Sequence, residues 1–179
     1  MSSPHLSLPL CVDLDDTLIH TDVLRLGIKQ LVFKKPWLLP WFLVWLGLKR
    51  AAAKAWLAKE FDVDAATLPY RAELLSYLKD QKASGRKLYL VSAADERIVR
   101  HVASTLGLFD AAYGSNGIHN LKGRNKAKFI REHIARGFVY AGDSFADLQV
   151  WKMASGAILC GRANMFKSSL PIPIEASFT

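Results

Sequence analysis

A chain of 179 residues, 51% hydrophobic and 22% charged, can bury one α/β core with a modest insertion but not two full-sized domains. Its two cysteines, Cys11 and Cys160, both lie in apolar runs, which argues against a disulfide framework and against sulfur-based metal binding. A formal net charge of +8 implies an anionic partner, with nucleic acid, phosphate-bearing metabolites and acidic membrane surfaces as the candidates.

The first ten residues lack a basic region followed by a long apolar one, so no secretory signal is indicated and an intracellular protein is expected. Residues 8–14 (LPLCVDL) form a short apolar run ending in acid, which suits a buried parallel strand whose carboxyl end meets a site. From 22 to about 59 the chain reads as helices rich in Leu, Trp and Ala, with Pro36 and Pro40 placed to start or kink them. A turn is expected through 61–69, then a helix over 70–82 with Leu74, Leu75 and Leu78 at helical spacing. Ser84-Gly85 ends that helix, and 87–91 (KLYLV) is a second strand. Asp95 opens a helix to about Thr105, with Gly107 as its stop. A short strand fits 109–115, followed by an Asn116-Gly117 turn and a helix over 124–135. Residues 138–141 make another strand, 144–154 a helix and 157–160 a closing strand. Strands alternating with helices over short connections predict a parallel sheet covered on both faces, with functional groups gathered at the strands' carboxyl ends.

Three such ends carry chemistry. Asp13, Asp15 and Asp16 follow the first strand, Ser92 follows the second, and Asp143 and Asp147 follow the strand at 138–141. In an extended stretch Asp13 and Asp15 share a face, and a helix beginning at once after Asp143 would put Asp147 one turn away. Four carboxylates in one crevice repel one another unless a cation is present, and an oxygen-only set of this kind suits Mg²⁺. The plainer reading makes each cluster a helix cap. Two clusters at two strand ends, with Ser92 after a third, weigh against it.

Asp13-Leu14-Asp15-Asp16-Thr17 resembles the DxDxT signature of the haloacid-dehalogenase-like (HAD) hydrolase superfamily, and Ser92 in KLYLVS is similar to its second motif. Lys122 in LKGRNKAKF resembles the third-motif lysine, and the segment GDSFAD at 142–147 resembles the acidic fourth motif. The ordered match spans residues 8 to about 160. The stretches TLPYRAELLSYLKDQKASGRKLYLVSAAD, NLKGRNKAKF and YAGDSFADLQVW further resemble the phosphatase-like domain found ahead of membrane prenyltransferases of the UbiA type. The sequence stops at Thr179 with no polytopic partner, which leaves a free-standing relative and an excised domain both open.

The resemblance implies a Rossmann-like α/β core with a parallel sheet over 1–19 and 68–179, and a small helical cap inserted at 20–67 between the first two motifs. It implies a phosphomonoester hydrolase in which Asp13 attacks phosphorus and Asp15 serves as acid and then base. Mg²⁺ would be held by Asp13, Asp143 and the backbone carbonyl of Asp15, while Ser92 and Lys122 hold phosphoryl oxygens, Asp147 supports Lys122 or metal-bound water, and Thr17 ties the first loop together through its hydroxyl. Lys126 competes with Lys122 from four positions further on; Lys122 is preferred for its following Gly123, and a solvated helix face is expected for Lys126, Lys128 and Arg131. His20 reads as a cap-hinge or surface residue, and His101, His119 and His133 lack metal-ligand spacing.

The cap would choose the leaving group. Residues 23–59 contain eight Lys or Arg and no Asp or Glu, with Arg25, Lys29, Lys34, Lys35, Lys49 and Arg50 as candidate contacts to anions. Residues 36–48 (PWLLPWFLVWLGL) carry no charge, are too short for the ~20 apolar residues of a spanning helix, and have basic residues at both ends. They read either as the apolar seam of the cap or as an interfacial segment. The expected partners are therefore a phosphorylated small molecule or lipid phosphate, with an anionic membrane surface or a prenyltransferase-like protein beside it, and the expected location is the cytoplasm or the inner face of its membrane. Dephosphorylation of nucleic-acid ends has only the positive charge in its favour, since no recognition helix, stacking motif or zinc module is present. A non-catalytic binding module is the other alternative.

Overall fold

The computed structural model describes residues 8–48, 56, 63–116 and 120–179. Six strands form one all-parallel sheet in the order β3-β2-β1-β4-β5-β6. They are β1 (Leu10–Val12), β2 (Leu88–Asp95), β3 (Ala111–Ser115), β4 (Val139–Gly142), β5 (Gly156–Cys160) and β6 (Ile174–Phe178). The chain builds outward from β1 to β2 and β3, then returns to lay β4, β5 and β6 on its other side. The carboxyl ends of β1 and β4 therefore flank a topological switch point, where open α/β sheets bind their ligands.

The central strand is buried on both faces. Leu10 and Val12 join one apolar core and Cys11 the other, as the two-residue period of a strand requires. On the first face, α3 (Ala72–Ala83) inserts Leu74 and Leu78, one helical turn apart, and α4 (Glu96–Leu106) inserts Ile98, Val99 and Val102. The opposite face receives Ala127 and Ile130 from α5 (Arg124–His133), with Val150 and Trp151 from α6 (Leu148–Trp151). Leu78 is fully buried, so Leu78→Ala would remove about 2–5 kcal/mol from this packing.

Between β1 and α3 lie α1 (Val23–Lys34), a short helical turn at Pro36–Leu38 and α2 (Leu39–Leu48). Asp22 caps α1, its carboxylate accepting from Leu24 N–H at 2.7 Å, and Pro36 opens the following turn. Leu31 and Phe42 pack together with Leu24, Ile28, Leu38, Leu39 and Trp56 into a small core of their own. Where this insertion leaves and rejoins the sheet domain, the two crossing segments are tied together. Ile19 bridges Tyr70 antiparallel, His20 N–H donates to the Pro69 carbonyl at 2.8 Å, and Arg71 N–H donates to that of Leu18 at 2.9 Å.

Several boundaries move from their expected places. β1 stops at Val12; Asp13 is still extended, its carboxylate accepting from the next N–H as the chain leaves the sheet. β2 continues to Asp95, which caps α4 from the strand's last residue. After Ser144 the chain makes one short helical turn, Phe145–Asp147, before α6, so the expected helix over 144–154 is much reduced. The edge strand β6 was not expected at all. It is anchored by Glu175, whose carboxylate takes both arms of the buried Arg86 guanidinium, at 2.8 and 3.2 Å. Lys49, Arg50, Gly117 and His119 lie outside the described residues.

Candidate active site

Asp13 N–H donates to the Ala141 carbonyl at 3.1 Å, so the acid stands directly on the carboxyl edge of the β1–β4 pair. One carboxylate oxygen accepts from Leu14 N–H at 2.8 Å, and the other lies 2.9 Å from Lys126 Nζ. The loop then turns through Asp16, at φ 53° and ψ 0° the one non-glycine with positive φ among the described residues, a conformation that Asp tolerates. Arg71 is buried behind the loop, donating to the carbonyls of Thr17 and Asp16, each at 3.0 Å. Thr17 is also buried; its hydroxyl has no hydrogen-bond partner among the described residues, and its tie to the loop runs through its carbonyl. Asp15 accepts from Val23 N–H at 2.9 Å, which links the loop to the first turn of α1. Burial, and then the nearby Asp22, pushes the Asp15 carboxyl up to about 8, despite the opposing Val23 hydrogen bond.

The second acidic cluster is organised by Asp147. One of its oxygens accepts from Asp143 N–H (3.2 Å), Ser144 N–H (3.1 Å) and the Ser144 hydroxyl (2.9 Å), while the other accepts from the Tyr140 hydroxyl at 2.8 Å. Lys126 Nζ in turn donates to the Tyr140 hydroxyl at 2.7 Å. A buried chain thus runs from Asp147 through Tyr140 and Lys126 to Asp13. Close packing against Asp147 also explains Gly142, where a Cβ would come within 2.8 Å of the Asp147 carboxyl carbon. Burial pushes the Asp143 carboxyl up to about 6, reinforced by Asp147, Asp13 and Asp16 and opposed by Arg162, whose guanidinium lies 3.4 Å away. Asp13 is likewise raised, burial outweighing the Lys126 ammonium. Burial works against the charge on Lys126, yet Asp13 and Asp147 hold its pKa above that of an ordinary lysine, so it stays protonated.

Asp13, Asp15, Asp143 and Asp147 are therefore brought to one end of the sheet. Ser92 is buried two residues beyond Leu90, the β2 partner of Val12, and accepts from Ala94 N–H at 3.1 Å. Lys122 is exposed. Lys128 and Arg131 lie on the expected solvated face of α5, but Lys126 does not: it turns inward with Ala127 and Ile130. His20, His101 and His133 are all exposed. The sequence reading did not single out Tyr140, Arg71 or Arg162. Tyr140 carried one readable signal, a hydroxyl in an otherwise apolar strand two residues before Gly142-Asp143.

No three His, Cys, Asp or Glu side chains gather into a metal cage among the described residues. Asp13 and Asp143 nevertheless supply two carboxylates that burial and neighbouring acids disfavour as anions, a donor set that fits a hard cation retaining several waters.

No family model matches the chain. The uncharacterised protein y4nM of Sinorhizobium fredii is 44% identical over 168 residues, which are 91% of this chain; the chain spans about a third (32%) of that relative's length. Among solved structures, a substrate-bound phosphoserine phosphatase complex superposes with a TM-score of 0.62 at 15% identity, covering 94% of this chain and 93% of the other. A phospho-aspartyl intermediate analogue of phosphoserine phosphatase gives 0.61 at 16% identity, with coverages of 94% and 93%. A HAD-superfamily hydrolase from Ehrlichia chaffeensis gives 0.54 at 17% identity, with coverages of 97% and 92%. With its six-stranded parallel sheet, its helical insertion after β1 and its acids at the switch point, the chain has the fold of the HAD hydrolase superfamily.

Proposed function

We propose that the protein is a Mg²⁺-dependent phosphomonoester hydrolase working through a phosphoryl group carried on Asp13. The observation that carries this reading is the placing of two acids with different partners at one strand end. Burial raises both carboxyls, but Asp13 touches the Lys126 ammonium at 2.9 Å, which favours its anion, whereas Asp15 rises to about 8 and is protonated near neutral pH.

An Asp13 carboxylate oxygen attacks phosphorus as the ester P–O bond breaks, and the Asp15 carboxylic proton goes to the departing oxygen. Asp15, now a carboxylate, takes a proton from water as that water attacks phosphorus and the Asp13–phosphorus bond breaks. Inorganic phosphate leaves and both acids return to their starting states. Mg²⁺, held by the carboxylates of Asp13 and Asp143 with the Asp15 backbone carbonyl, would supply the charge that lets an anionic carboxylate approach an anionic phosphate.

We assign to Lys126 the phosphoryl contact expected of Lys122, because it is Lys126 that touches Asp13. A charge-directed donor in that position is worth about 2–4 kcal/mol in the transition state. Tyr140 and Asp147 hold the ammonium there, and Ser92 provides a hydroxyl at the neighbouring strand end. The insertion recognises the leaving group, and the apolar side chains that it exposes favour an amphiphilic phosphate over a small polar one. Phosphate release across a panel of metabolite and lipid phosphomonoesters, with Mg²⁺ and with chelator, tests the reading. Mg²⁺-dependent release that disappears in Asp13→Asn is expected, and turnover unchanged in that variant would overturn it.

A further inference from the structure

We propose that the insertion docks onto an anionic lipid surface through the end of α1, the turn at Pro36–Leu38 and α2. Leu31 and Phe42 close the small core between the two helices, while Phe33, Trp37, Trp41, Leu43, Val44 and Leu48 face outward. Trp37 is 67% exposed, Trp41 75%, Phe33 76% and Leu48 76%, with Leu43 and Val44 more than half exposed beside them. This is not the uncovered half of an amphipathic helix. Residues 36–48 contain no charged residue and no Ser, Thr, Asn or Gln, so whichever side α2 turns outward is apolar. Such a surface needs an apolar partner.

Length and charge select the partner. The ten residues of α2 extend about 15 Å, half the ~30 Å hydrocarbon core of a bilayer, and no described helix is long and apolar enough to cross a membrane. The apolar surface can therefore enter the headgroup region without spanning, the depth at which Trp side chains are favoured. Arg25, Lys29 and Lys34 are exposed on α1, and residues 23–59 hold eight basic residues and no acid. A second copy apposed about a twofold axis would bring two such acid-free segments together, with nothing in either to neutralise the other. Anionic headgroups neutralise both, and the lysine stems can lie along the apolar surface while their ammonium groups meet phosphate. The same helix joins this surface to the acids: Val23 N–H holds Asp15 at the start of α1, whose twelve residues, about 18 Å, end at Lys34.

Sedimentation with phosphatidylcholine vesicles, with and without phosphatidylglycerol, tests the docking without reference to turnover, so its outcome is independent of the phosphatase reading. The wild-type protein should sediment with the phosphatidylglycerol vesicles at low salt. Trp37→Ser/Trp41→Ser should lower the partition on the order of tenfold or more, and Lys29→Gln/Lys34→Gln should lower it severalfold and flatten its salt dependence. All four side chains are exposed, and circular dichroism checks that the variants remain folded. Absence of wild-type sedimentation would overturn the proposal, as would equal sedimentation of the tryptophan variant. So would a wild-type dimer in analytical ultracentrifugation that the tryptophan substitutions dissolve while vesicles remain unbound.

Discussion

Tyr140→Phe isolates the connection between the two acidic clusters, because it removes one hydroxyl and keeps the ring that fills the core. That hydroxyl accepts from Lys126 at 2.7 Å and donates to Asp147 at 2.8 Å, both inside the protein. Two buried hydrogen bonds to charged groups are lost, but each charged partner keeps others: Lys126 retains Asp13, and Asp147 retains three donors from Asp143 and Ser144. The net loss should be about 2–4 kcal/mol, equivalent to a fall in Tm of roughly 4–16 °C for a chain of this size. With its second anchor gone, Lys126 should also hold the phosphoryl group less well, lowering kcat on the order of tenfold, or about 1.4 kcal/mol. Thermal melts and steady-state phosphate release on the same preparation give both numbers. A variant with wild-type Tm and wild-type kcat would refute the chain from Asp147 to Asp13 as a working unit.

Other outcomes follow from the same geometry. In chelator, stability should fall as pH rises between about 4 and about 8: Asp143 and Asp15 have ordinary values of 3.8 and folded values of about 6 and about 8, so across that window the folded state keeps protons the unfolded state has released. Melts from pH 4 to 8 should show this decline, Mg²⁺ should reverse it at the upper end, and Asp15→Asn should flatten it; a chelator-insensitive, level profile would contradict the raised carboxyls. Gly142→Ala should cost about 1–3 kcal/mol, read by denaturant unfolding, because its Cβ would force Asp147 off the Asp143 and Ser144 amides. Arg86→Met should lose about 3–5 kcal/mol by removing the cation that pairs with Glu175 at the sheet edge, and hydrogen exchange should show β6 opening first.

The parts of the structure that were legible in the sequence are those set by local pattern. The apolar runs at 10–12, 88–91, 139–141 and 157–160 became strands because parallel strands are buried on both faces, and such runs need no partner to be recognised. The acids at their ends followed directly. Lys122 and Lys126 could not be separated in the same way, since the Lys122-Gly123 step is visible in sequence whereas the rotation of α5 is set by tertiary packing. Ala127 and Ile130 mark the buried stripe, and Lys126 falls on it. β6 was missed because an edge strand only half buried has no continuous apolar run, and Pro171 and Pro173 make its approach read as loop. Tyr140, Arg71 and Arg162 act through partners distant in sequence, and a lone residue of each type carries no spacing signal.

The central claim, a phosphoryl group carried on Asp13, is tested most directly by acid-quenching the protein during incubation with an aryl phosphate and Mg²⁺ and mapping its peptides by mass spectrometry. Asp15→Asn is the informative background. An aryl leaving group departs without needing a proton, whereas hydrolysis of the phosphoenzyme has lost its base, so the intermediate should accumulate. The account predicts one phosphoryl group on the peptide containing Asp13, labile to alkali and absent from Asp13→Asn/Asp15→Asn. Phosphate released with no labelled peptide in Asp15→Asn, or a label on any other residue, would contradict it.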